Sequence, residues 1–216
     1  MKSIKKLLAL TLACAAAASL AACGSSAPKQ TASSGASGDA SAAGTDAGKT
    51  YLIATDTTFA PFEFQNESGE FVGIDMDLLK AIAEDQGFSY EIQVLGFDAA
   101  VQSLQAGQSD AVIAGMSITP ERQDTFDFSE PYFDSGVVMG IKAGNEEIKS
   151  YEDLRGKNVA VKTGTEGSAF AESIKAEYGF TTTYFKDSSN MYEDVISGNS
   201  AACFEAYPVL GSAVSP

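Results

Sequence analysis

Residues 115–132 read Gly-Met-Ser-Ile-Thr-Pro-Glu-Arg-Gln-Asp-Thr-Phe-Asp-Phe-Ser-Glu-Pro-Tyr. They follow an apolar strand, Asp110-Ala111-Val112-Ile113-Ala114, and open onto a loop whose arginine is poorly placed for a core. Thr119 predicts a helix N-cap and Pro120 suits the first helical position, so Arg122 projects from that first turn. A guanidinium beside exposed helix amides makes a receptor for a carboxylate. Arg supplies a planar donor fork, and the helix end adds positive potential. Taken alone, Arg122 would be better served by a surface pair with Glu121, Asp124 or Asp127.

Outward from this stretch, strand-like and helix-like segments alternate. Leu52-Ile53-Ala54 predicts a buried strand. Ile74, Leu78, Leu79 and Ile82 recur at helical spacing and stop before Gly87. Glu91–Leu95 predicts a strand, Ala99–Ala106 a helix ending at Gly107, and Asp110–Ala114 a third strand. Val137–Ile141 follows as another apolar strand. A second series then runs through strand Asn158–Val161, helix Ser168–Tyr178, strand Thr181–Phe185, helix Met191–Ser197 and strand Ala201–Phe204. Two successive β-α-β-α-β series imply an α/β protein with two mostly parallel sheets, each with its own core.

The unusual residues fall just beyond strands. Asp56 and Phe59 follow the first strand, Phe97 the second, and Gly115, Ser117 and Arg122 the third. Gly164, Thr165 and Glu166 follow the strand ending at Val161, and Glu205 follows Phe204. Open α/β sheets bind ligands outside the carboxyl ends of their strands, so all of these share the correct rim. Phe59 and Phe97 are also compatible with a plain core, and Lys162 with a solvated surface.

The N-terminus places Lys2, Lys5 and Lys6 before an apolar run, Leu7–Ala22, and then Cys23. That order predicts a secretory leader over residues 1–22, the apolar core being short and alanine-rich for a membrane span. Leu20-Ala21-Ala22-Cys23 resembles the bacterial lipobox, which implies lipidation of Cys23, an extracytoplasmic location and a lipid anchor in the membrane. Residues 23–49 are mostly Ser, Ala, Gly and Thr and predict a flexible tether. About 165 residues remain, enough for one large domain or two small lobes. Cys14 leaves with the leader, so Cys203 has no disulfide partner and is expected as a buried, inert thiol.

The formal charge is −15, and loss of the three leader lysines takes it to −18. Nucleic acid is excluded as a partner, because phosphate binding rests on a basic face. With no histidine in the chain, the commonest general base and metal ligand is missing. No metal or cofactor is expected.

Five segments in order carry a family resemblance: Ala54–Phe64, Gly73–Leu78, Ala114–Tyr132, Val159–Thr165 and Tyr207–Val209. With them the chain, from Thr50 onward, resembles the polar amino-acid substrate-binding proteins of bacterial ABC importers, the glutamine, arginine and histidine binders. The resemblance implies a non-catalytic receptor with a two-lobed periplasmic-binding-protein-like fold, delivering a polar amino acid to permease subunits. Lobe 1 would span 50–134 and lobe 2 135–216. Lobe 2 and the returning part of lobe 1 would be incomplete, since family members continue beyond the position of Pro216. Arg122 would grip the ligand α-carboxylate, aided by backbone amides at Ser117, Thr165 and Glu166. Phe59 and Phe97 would sandwich the ligand side chain, with Asp56 at its polar tip and Lys162 lining the pocket. Where the family has a carboxylate for the α-ammonium, this chain has Ala206, beside Glu205. A small carboxylic-acid dehydratase, with Asp56, Glu166 or Glu205 as acid or base, and a ligand-sensing lipoprotein are the alternatives.

Overall fold

The computed structural model describes residues 48–214. The expected leader, Cys23 and the tether up to residue 47 lie outside the described residues. The chain enters through β1 (Thr50–Thr55) and then makes a small antiparallel sheet of β2 (Thr58–Phe59), β3 (Glu63–Gln65) and β4 (Phe71–Val72). Strands this short carry no readable period, and the sequence gives no sign of them. Helix α1 (Ile74–Gln86) ends at Gly87 in the left-handed conformation. It buries Met76, Leu79 and Ala83 at helical spacing. Strand β5 (Ser89–Val94), helix α2 (Phe97–Gln105) and strand β6 (Ala111–Val112) complete a parallel sheet of order β5-β1-β6.

β6 is shorter than the expected strand Asp110–Ala114. It is an edge strand, bonded only to β1. Asp110 turns its carboxylate to the Leu52 amide (2.8 Å), while Ile113 N still donates to Ala54 O (3.1 Å). Beside this edge runs an apolar trough of about 870 Å3, bordered by Ile53, Leu79, Leu104, Ile113 and Phe128. A single turn, α3 (Pro120–Gln123), follows.

The chain then crosses to β7 (Val137–Ile141). After a 3-10 turn (Tyr151–Leu154) come β8 (Asn158–Lys162), α4 (Glu166–Tyr178), β9 (Thr181–Phe185), α5 (Ser188–Ser197), β10 (Ala202–Ala206) and α6 (Tyr207–Val214). The second sheet has order β7-β10-β8-β9, parallel except for β7 against β10. Both faces are covered, so its central strands are apolar without alternation. Val159, Val161, Ala202 and Phe204 enter one core with Ala171 of α4 and Leu154. Ala160 and Cys203 point the other way, to Met191 and Val195 of α5. Phe204 anchors the first core, edge-to-face with Tyr151 and Phe170 at 5.7 and 5.1 Å. Cys203 is buried, as expected, and burial pushes its thiol up to about 12.

α4 and α5 begin two and three residues earlier than their apolar periods predict. Their N-caps decide this: Thr165 Oγ1 accepts from Ser168 N, and Asp187 Oδ1 from Asn190 N. Among the described residues, no helix is long and apolar enough to cross a membrane.

Candidate functional site

The carboxyl ends of the two sheets meet at a cavity of about 230 Å3. Every residue expected at the site lines it except Asp56 and Gly164. Thr119 caps α3 as expected, its Oγ1 accepting from Arg122 N at 3.2 Å, with Pro120 at the first position. Arg122 Nη1 donates to Ser117 O (2.8 Å) and Nη2 to Gly164 O (3.0 Å). Its guanidinium carbon stands 5.7 Å from the centre of the Phe97 ring. Its ion pair is with Glu166 at the start of α4, Nη2 to Oε1 at 3.3 Å, and not with Glu121, Asp124 or Asp127. Burial lowers the pKa of Arg122, and the carboxylates of Glu166 and Glu121 oppose that shift.

Gly115 closes one wall. Its φ is +52°, and a Cβ there would lie 2.7 Å from the Phe59 ring, so only glycine lets the aromatic seat against the backbone. Gly164 makes the corresponding turn on the other side, passing the side chain of Asp98 on α2.

Beneath the cavity, Lys162 and Asp56 form an ion pair with side chains 2% and 1% exposed. Lys162 is therefore no solvated surface residue. Its Nζ also sits 4.8 Å from the centre of the Phe59 ring and 3.4 Å from Ser188 Oγ. Asp56 Oδ1 accepts from Thr57 N at 2.7 Å. With both charges used on each other, Asp56 lies under the pocket and not on its surface.

Glu205 is likewise turned inward. Its Oε2 accepts from Ser188 Oγ (3.0 Å) and Tyr192 OH (3.3 Å), and its Oε1 from Ala206 N (2.9 Å). Burial raises its pKa, against the hydrogen bonds and Lys162. Ala206, the next residue, borders the cavity.

The sequence reading missed a second buried group just below Gly115. Asp75, at the start of α1, accepts from Gly115 N (2.7 Å) and from Tyr132 OH (2.8 Å). It therefore ties the cavity wall to the segment crossing between the sheets. Glu63 of β3 is fully buried nearby, and neither of its carboxyl oxygens meets a hydrogen-bond partner. Burial, then the charges of Asp75 and Asp56, push Glu63 up to about 11. A carboxyl within the apolar run Pro61-Phe62-Glu63-Phe64 was the available signal, but strands of two and three residues hid which face it takes. Among the described residues, no group of three or more Cys, Asp or Glu is arranged to hold a metal.

Taken together, the geometry is a small cleft between two α/β sheets, lined by an arginine fork and two phenylalanines. The model of the bacterial extracellular solute-binding proteins, family 3, matches residues 51–201. The chain belongs to that family. It is 32% identical over 195 residues to the arginine-binding extracellular protein ArtP of Bacillus subtilis (strain 168), covering 90% of this chain and 70% of that protein. A probable histidine-binding protein of Neisseria gonorrhoeae is 36% identical over 166 residues, 76% of this chain and 58% of that one. An ancestral arginine-binding protein has been solved bound to arginine and to glutamine, with TM-score 0.72 and 39% identity in both cases. Those alignments cover 76% of this chain and 73% and 72% of the ancestral one. This family 3 chain thus has the periplasmic-binding-protein-like α/β fold that its family resemblance implies.

Proposed function

We propose that this family 3 protein captures a polar amino acid outside the cytoplasm and delivers it to the permease of an ABC importer. A lipid on Cys23 would hold it at the membrane, with residues 50–134 and 135–216 acting as the two closing lobes. The observation that carries the reading is the Arg122 guanidinium at the base of a 230 Å3 cavity between Phe59 and Phe97. A cavity of that size suits an amino acid, and a guanidinium held by two carbonyls is positioned to take a carboxylate through its fork.

The far end of the cavity favours an uncharged polar side chain. Lys162 and Asp56 already cancel one another beneath Phe59, so a cationic side chain would find its carboxylate occupied. Glutamine is therefore the first expectation and arginine, named for several relatives, the second. A thermal-shift screen of the standard amino acids tests both. A specific ligand at a hundred times its Kd should add about 2.7 kcal/mol to stability. No shift with any amino acid would remove the reading. A larger shift with arginine than with glutamine would reassign the ligand.

A further inference from the structure

Of the three carboxylates expected at the cavity, two are already committed. Asp56 is neutralised by Lys162, and Glu205 accepts from Ser188, Tyr192 and the Ala206 amide on the buried side of β10. Glu166 differs. It opens α4, lines the cavity, and keeps a side chain 37% exposed. Its ion pair among the described residues is with Arg122. At the end of β10, Glu205 lines the cavity with its carboxylate already bonded, and Ala206 adds only a methyl.

An amino acid entering this cavity brings two charges on adjacent atoms. Its carboxylate takes the Arg122 fork and so displaces Glu166, the carboxylate now there. Its ammonium, unpaired in a desolvated cleft, would weaken binding severely. We propose that the Glu166 side chain receives the ligand α-ammonium, released for that role when the ligand α-carboxylate replaces it on Arg122. One ion pair between the two sheets becomes two, both through the ligand, with no net change of charge in the cleft. The unliganded Arg122–Glu166 contact then holds each partner near the position it needs. Glu166 thereby supplies the carboxylate that Ala206 cannot. This assignment rests on the amino-acid reading above.

The test is calorimetry on the chain and on Glu166→Gln. L-glutamine and L-arginine are each compared with the analogue lacking the α-amine. The parent should prefer each amine-bearing ligand over its analogue by about 30-fold or more, the low end for removing one partner of a desolvated charge pair. In Glu166→Gln that preference should fall to within about 3-fold, through weaker binding of the amino acid and not tighter binding of the analogue. An unchanged unfolding midpoint without ligand would exclude a folding defect, expected because Glu166 is half-exposed at a helix start. Full discrimination retained in Glu166→Gln overturns the assignment while leaving the amino-acid reading intact. Absence of binding by both amino acids to the parent would overturn both.

Discussion

Lys162 at the end of β8 and Asp56 just beyond β1 form an ion pair that joins the two sheets from residues 106 positions apart. Both are removed from water, so each charge depends on the other. Lys162→Met should leave Asp56 uncompensated and cost roughly 3–5 kcal/mol, measured by urea unfolding. Lys162→Met with Asp56→Leu should recover much of that loss, because no charge is then left buried. A double variant as unstable as the single would show that the pair matters for more than mutual compensation.

Arg122 is held by the carbonyls of Ser117 and Gly164 and so reaches the cavity pre-oriented. Arg122→Ala should reduce amino-acid affinity by about 2–5 kcal/mol. Arg122→Lys should restore only part, because a single ammonium lacks the fork. Titration calorimetry reads both, and equal affinities in all three proteins would refute the carboxylate anchor.

Glu63 predicts a pH dependence of stability. Its carboxyl is pushed from an ordinary 4.5 up to about 11, first by burial and then by Asp75 and Asp56, with Lys162 opposing. Tyr132 and Asp75 complete the polar groups around it. Between those two values the folded chain keeps a proton that the unfolded chain has released. Stability from this group is therefore complete below 4.5 and declines as pH rises toward 11. Glu63→Gln removes that slope. Its gain in thermal midpoint over the parent should grow from near zero at about pH 4 to several degrees at about pH 9, where 1 kcal/mol corresponds to roughly 2–4 °C. A constant difference across the range would mean that Glu63 titrates normally.

Cys23 lies outside the described residues, and its prediction comes from Leu20-Ala21-Ala22-Cys23 alone. Cys23→Ala should move the protein from the membrane fraction to the soluble one in the native host. Mass spectrometry of the parent should find a chain that starts at a lipid-modified Cys23. An unmodified chain still starting at Met1 would refute the anchor.

Much of the architecture was legible because its signals are local. Val137–Ile141 and Thr181–Phe185 have the predicted bounds, and Gly87, Gly179 and Gly198 end their helices as the composition indicates. The cap at Thr119 is equally local, since it needs only an amide three residues on. The small sheet of β2, β3 and β4 was not legible. Two- and three-residue strands are held by their partners and by the start of α1, where Ile74 N and Asp75 N donate to Pro61 O and Phe62 O.

For the site, the sequence by itself determined which residues stand at the carboxyl rim, because strand ends follow from apolar runs and breakers along the chain. Only the tertiary structure decided what each does there. Whether Lys162 meets solvent or Asp56, whether Glu205 faces the cleft or Ser188, and which carboxylate reaches Arg122 all depend on how two sheets face each other. The physical reason is range. A period or a cap is set within a few residues, whereas a buried charge is settled by whichever partner the fold brings within hydrogen-bond distance.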